Sequence, residues 1–233
     1  MPEKIKALFF DAGNTLIFLD YEFIRKAIAK IDLTVNLEQV LKAECRAREE
    51  IDQIMLSLEK GTNRSRAFRY FEVMLKEVGV EEQKIDQVAE ILKEQDKTSG
   101  LWIKVRPGTH DTLSQLKSSG LTLAMISNSD GRIEDICKDL GLAGYFDFII
   151  DSSKVGMEKP DKGIFNLALL RAKVKAEESA YIGDVYSIDV LGAQSVGMIP
   201  ILIDSTGSYR HPKCLTIKRL EELLWLWLMA DGS

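Results

Sequence analysis

The 233-residue chain predicts an α/β fold in which a parallel sheet, covered by helices on both faces, carries a smaller all-helical insert. Three observations predict it. Short apolar runs recur, each followed by turn residues and then by helical spacing. The runs are apolar at successive positions, the pattern of strands buried on both faces. One early stretch of about 80 residues lacks such runs and repeats its apolar positions at intervals of three and four.

In chain order, Ile5 to Phe10 reads as the first strand, running into Asp-Ala-Gly-Asn. From about Phe18 to about Thr98 the spacing is helical, with Leu37 to Leu58, Arg66 to Val78 and Glu82 to Gln95 as the clearest segments. Gly61-Thr62-Asn63 and Gly79 break them. Strand-like runs then resume at Leu121 to Ile126, Phe146 to Ile150, Ala180 to Ile182 and Ile199 to Ile203. Between them Pro107 to Ser119, Gly131 to Leu140, Ile164 to Ala172 and Val185 to Val196 have helical spacing. The repeated βα order makes residues 1–17 and 100–233 a Rossmann-like core and residues 18–99 a helical domain, with crossings near 16–20 and 97–106. Leu223 to Met229 is too short for a membrane span, which needs roughly 20 residues. It reads as a terminal helix with Trp225 or Trp227 at a partner surface.

The 31 basic against 36 acidic residues give a formal charge of -5, so the broad positive field of a non-specific nucleic-acid binder is absent. Cys45, Cys137 and Cys214 are odd in number and far apart, which fits neither a disulfide framework nor a CxxC zinc site. They read as reduced thiols. The start has no charged segment followed by an apolar stretch, so a cytoplasmic location is expected.

In an open parallel sheet the ligand site lies beyond the carboxyl ends of the strands. The residues there are Asp11, Ser127, Asp151, Asp184 and Asp204. Four carboxylates around one crevice repel each other unless a cation sits among them, and hard oxygen ligands suit Mg²⁺.

Asp11-Ala-Gly-Asn-Thr-Leu16, Ser127-Asn128, Lys159-Pro160-Asp161 and Gly183-Asp184 with Asp189 resemble, in order and in place on their βα units, the four motifs of the haloacid dehalogenase (HAD) superfamily. The helical stretch has the position and length of that family's cap inserted after the first strand. The resemblance implies a Mg²⁺-dependent phosphatase of small phosphorylated metabolites, a monomer or homodimer without nucleic-acid or membrane partners. Asp11 would be the nucleophile that forms an aspartyl-phosphate. Thr15, Ser127 and Asn128 would bind the phosphoryl oxygens, and Lys159 would neutralise the nucleophile and the developing charge. Mg²⁺ would be held by Asp11, the Gly13 carbonyl and Asp184, with Asp189 reaching it through water or supporting the direct ligands.

Gly13 departs from the pattern. Phosphatases of this family usually carry there an aspartate that protonates the leaving oxygen, a function worth roughly 10² to 10⁴ in rate. Asp20, Glu22 and Asp130 are the candidate substitutes. The loss also keeps open a non-catalytic or weakly active phospho-ligand-binding homologue. A 2-haloacid dehalogenase is disfavoured by Asp184 and Asp189, which a metal-free enzyme has little reason to hold. A phosphonatase would need a cap lysine, and Lys26, Lys30, Lys42 and Lys60 fall in the cap without a distinguishing spacing. Arg64, Arg66 and Arg69 read as a solvated helix face with Tyr70 and Phe71 turned into the cap core, the alternative being an anion-binding cap surface. His110 and His211 lack sequence partners.

Overall fold

A computed structural model describes residues 5–57, 63–209 and 212–227, without the side chains of residues 63–66 and 227. The chain divides into two compact units, residues 1–18 with 104–233 and residues 19–103. Two short strands, β2 (Phe18–Leu19) and β3 (Trp102–Lys104), pair at those crossings.

The first unit is built on a six-stranded sheet of β1 (Ala7–Phe10), β4 (Thr122–Ser127), β5 (Phe148–Asp151), β6 (Ser179–Gly183), β7 (Ile199–Ile203) and β8 (Leu215–Ile217). Its order is β5-β4-β1-β6-β7-β8 and every pairing is parallel. Central β1 has no exposed residue, as two covered faces require. Ala7, Phe9 and Tyr181 point to one face, with Ile164, Phe165 and Ala168 of α8 (Lys162–Ala172) and Ala193 of α9 (Leu191–Gln194) in the same core cluster. With the strand period of two, Leu8 and Phe10 point to the other face, where Phe10 meets Phe146 edge-on at 6.1 Å. There α5 (Thr109–Ser118) packs on β4 and α6 (Ile133–Asp139) on β5. Strand β8 was not expected from its half-exposed Leu-Thr-Ile. The helix expected over Val185 to Val196 is a π-turn, Tyr186–Val190, running into α9. The expected terminal helix is α10 (Glu222–Trp227), whose Leu223 is buried and whose Trp225 is 67% exposed. The side chain of Trp227 and residues 228–229 lie outside the described residues.

Among its described residues the second unit has four helices, α1 (Tyr21–Ala29), α2 (Leu37–Leu56), α3 (Asn63–Glu77) and α4 (Glu82–Thr98). Asp20 caps α1 by accepting from Phe23 N–H at 3.0 Å. Asn36 and Gln39 form a reciprocal capping box on α2. Gly79, at φ 91, turns the chain between α3 and α4. Along α2 and α3, Glu44 is buried but satisfied, accepting from Tyr70 Oη at 2.7 Å and pairing with Arg48 at 2.8 Å. Arg69 is committed to Glu50 and Glu72, which supports the solvated-face reading for that arginine. Tyr70 is buried as expected, while the side chains of Arg64 and Arg66, like Lys60 and His211, lie outside the described residues. Lys26, Lys30 and Lys42 are exposed, whereas Schiff-base chemistry favours a desolvated lysine. All three cysteines are free thiols. Burial pushes the Cys137 thiol up to about 12. Among the described residues no helix is long and apolar enough to cross a membrane.

Candidate active site

The parallel register aligns the strand ends. Phe10 stands level with Met125 on β4 and Ile182 on β6, so Asp11 emerges between the Ser127 loop and the Gly183-Asp184 loop. Lys159 enters the same place from the segment before α8. Its Nζ donates to Asp11 Oδ1 at 2.6 Å, to Asp189 Oδ1 at 2.8 Å and to Tyr181 Oη at 2.8 Å. The lysine is 2% exposed, so its charge depends on those partners. Burial works against the ammonium, but Asp11 and Asp189 outweigh it and hold its pKa well above the ordinary lysine value. Burial pushes the Asp11 carboxyl up to about 6, against the opposing pull of Lys159.

Asn128 fixes the other end of this lysine. Its Oδ1 accepts from Lys159 N–H at 2.8 Å and its Nδ2 donates to Lys159 C=O at 2.9 Å. The side-chain amide expected to bind phosphate is therefore engaged at both ends by the Lys159 peptide. The Lys159-Pro160 bond is cis.

After Asp11 the chain makes a tight turn, with Leu16 and Ile17 N–H both donating to Ala12 C=O and Asn14 N–H to Ile17 C=O. The left-handed position falls on Asn14 at φ 52, a conformation that asparagine tolerates better than most residues. Gly13 bridges to Ile17. Thr15 Oγ1 is buried and has no hydrogen-bond partner among the described residues, an unusual cost for a native hydroxyl. A phosphoryl oxygen would satisfy it.

Asp11, Asp184 and Asp189 offer carboxylate oxygens within 4.8 Å of one another, all buried. The Lys159 ammonium pairs with two of them, Asp11 and Asp189, and three carboxylates gathered this closely are the kind of donor set that a cation joins. Asp189 uses Oδ1 for Lys159 and Oδ2 for Val185 N–H at 3.0 Å, so it fits a supporting role behind Asp11 and Asp184. Hard oxygen donors of this kind fit Mg²⁺.

The expected ring of strand-end carboxylates is smaller than the sequence suggested. Asp151 caps the short helix α7 (Ser152–Val155) through Ser153 N–H and accepts from Gly131 N–H at 2.9 Å. Asp204 accepts from the N–H groups of Gly207, Ser208 and Tyr209. Both are turn builders, the usual work of an acid closing a strand. The Asp204 turn carries Tyr209, whose Oη accepts from Tyr186 N–H at 3.2 Å and donates to Asp184 C=O at 3.4 Å. Sequence reasoning missed Tyr181 and Tyr209. Tyr181 lies in an apolar strand that reads as core, and Tyr209 in a loop with no motif.

The three candidate acids are engaged. Asp20 caps α1, and Glu22 pairs with Arg25 at 2.9 Å. Asp130 pairs with Arg132 at 2.9 Å, and this hydrogen-bonded pairing outweighs burial to hold its carboxyl below the usual range. His110 lies 3.3 Å from Tyr145 Oη, away from these groups in the sequence and in its partners.

Residues 5–197 match the family model described as haloacid dehalogenase-like hydrolase. The chain belongs to this family. Mouse haloacid dehalogenase-like hydrolase domain-containing protein 3 is 42% identical to this HAD-like hydrolase over 121 residues, 52% of this chain and 48% of the mouse protein. That match spans about half the length of the relative. Glyceraldehyde 3-phosphate phosphatase of Methanothermobacter thermautotrophicus is 33% identical over 205 residues, 86% of each chain. The HAD hydrolase YfnB of Bacillus subtilis, solved bound to magnesium, superposes with a TM-score of 0.72 at 21% identity, covering 97% of this chain and 99% of its own. It shares the fold.

Proposed function

We propose that this HAD-like hydrolase is a Mg²⁺-dependent phosphatase of small phosphorylated metabolites that works through Asp11. The observation that carries the reading is the cluster in which Lys159 bridges Asp11 and Asp189 while Asp184 places a carboxylate oxygen within 4.8 Å of one from each of them. The orphaned Thr15 hydroxyl and the phosphatase name of a relative aligned over 86% of the chain support it.

Asp11, Asp184 and the Gly13 carbonyl would hold the metal, with Asp189 in support. Bound there, Mg²⁺ would neutralise phosphoryl oxygens. The chain's own residues do the rest. An Asp11 carboxylate oxygen attacks phosphorus, the ester P–O bond breaks, and the leaving oxygen departs with its electron pair. Lys159 keeps Asp11 ionised and offsets charge at the reacting centre, while Thr15 and Ser127 donate to phosphoryl oxygens. Water then attacks phosphorus, the P–O bond to Asp11 breaks, and phosphate leaves with the carboxylate restored.

The test is hydrolysis of p-nitrophenyl phosphate with Mg²⁺ and with EDTA, in the wild type and in Asp11→Asn. Activity that needs Mg²⁺ and vanishes in the variant is expected, and full turnover in EDTA or in Asp11→Asn overturns the reading. Gly13 favours a second reading, a weakly active phospho-ligand binder. Tight binding of a phosphorylated metabolite without its turnover would establish that one instead.

A further inference from the structure

Lys159 is a long side chain with four rotatable bonds, and fixing such a chain costs rotamer entropy. Two carboxylates attract its ammonium but do not by themselves choose between them. Either could draw the head toward itself and away from the midpoint. The third N–H decides the position, and it points at Tyr181.

Tyr181 is 1% exposed and lies on β6, level with Phe9 of β1. Its hydroxyl accepts from Lys159 Nζ at 2.8 Å and donates to Ile126 C=O at 3.3 Å. Ile126 belongs to β4, so the phenol reaches across the central strand. Phe165 of α8 packs edge-on against the ring at 5.1 Å and limits its movement. The same strand end supplies Asn128, which holds the Lys159 peptide by both its N–H and its C=O. Lysine 159 is thus fixed at the backbone by Asn128 and at the head by Tyr181, both referred to the end of β4. Burial holds the phenol pKa well above the ordinary tyrosine value, so the hydroxyl keeps the proton it gives to Ile126.

We propose that Tyr181 is a positioning residue for Lys159, holding the ammonium midway between Asp11 and Asp189 by accepting its third N–H and anchoring to the Ile126 carbonyl. Its kinetic consequence rests on the phosphatase reading above, whereas its structural consequence does not. A neutral acceptor suits the task because a third carboxylate would add to the buried negative charge. It is also a rigid one, since a ring has two side-chain torsions and here both are packed.

Tyr181→Phe keeps the ring and removes the oxygen. With the full chain, two readouts are taken beside a melting curve that verifies folding. The first is the ¹H–¹⁵N spectrum of the lysine Nζ groups, in which Lys159→Arg identifies the Lys159 signal. A slowly exchanging Lys159 ammonium is expected in the wild type, because all three N–H groups are bonded, and its loss to solvent exchange is expected in Tyr181→Phe. The second is p-nitrophenyl phosphate hydrolysis at saturating Mg²⁺, where kcat should fall about tenfold at unchanged KM. A merely structural tyrosine would lower the melting temperature and leave both readouts alone. Absence of a protected Lys159 signal in the wild type, or its persistence in Tyr181→Phe, overturns the proposal, as does an unchanged kcat in an active enzyme. A wild type inactive on phosphate esters defeats the phosphatase reading, and the ammonium spectra then decide the role of Tyr181 alone.

Discussion

Gly183 leaves its side-chain space to Asp189. A Cβ built on Gly183 would stand 2.4 Å from Asp189 Cγ and 2.5 Å from its Oδ2. The glycine therefore serves to let the Asp189 carboxylate lie against the end of β6, where it meets Lys159 and Val185 N–H.

Gly183→Ala should force Asp189 away from Lys159. Overpacking of this kind costs about 1–3 kcal/mol. Denaturant unfolding should show a loss in that range, together with weaker Mg²⁺ binding by calorimetry. Wild-type stability and Mg²⁺ affinity in the alanine variant would show that the carboxylate has another place to sit.

The response to Mg²⁺ should depend on pH through Asp11. In the metal-free protein its carboxyl is pushed up to about 6 by burial, against an unperturbed value of 3.8. A folded-state pKa above the unfolded value means that protonated Asp11 favours the fold at low pH, and that this contribution is lost as pH rises from about 4 through about 6. A cation bound to the ionised carboxylate reverses the penalty. The rise in melting temperature caused by Mg²⁺ should therefore be large at pH 7.5 and shrink as pH falls through 6. An equal rise at pH 5 would sink the assignment of Asp11 as a ligand.

With Gly13 in place of an acid and Asp20, Glu22 and Asp130 engaged elsewhere, the phosphatase reading predicts a leaving oxygen that departs without a proton. Aryl, acyl and anhydride phosphates should turn over fast and sugar or other alkyl phosphates slowly. Gly13→Asp should raise alkyl-phosphate turnover within the roughly 10² to 10⁴ that general acid catalysis contributes. The left-handed backbone of this turn falls on Asn14, the neighbouring position. A wild type indifferent to leaving group, with a folded Gly13→Asp that changes nothing, would mean that another group donates the proton.

Chloride release from 2-chloropropionate should be undetectable. The buried carboxylates of Asp184 and Asp189 would repel a departing halide, which needs a neutral or cationic cradle. Turnover comparable with that of a phosphate ester would reverse the choice between the two reactions.

The sequence by itself determined the sheet and the helical insert, and it named Asp11, Lys159, Asp184 and Asp189 as candidates, which the fold brings together. Buried strands declare themselves by unbroken apolar runs, and Asp11 and Asp184 directly follow two of them, where the chain order is readable. It did not reveal β8, whose half-exposed residues carry no strand period, or the π-turn, since its apolar spacing resembles that of an α-helix. Nor could it separate Asp151 and Asp204 from the cluster of Asp11, Asp184 and Asp189. All four strand-end acids look alike in sequence, and it is the backbone N–H groups folding back on Asp151 and Asp204 that mark these two as turn builders. The same holds for Asn128 and Tyr181. Each acts on Lys159 from 31 and 22 residues away, through contacts that arise when parallel pairing brings the ends of β4 and β6 beside β1. Residue types follow local rules of burial and turn chemistry, whereas partners follow from the order of strands in the sheet, which no local spacing encodes.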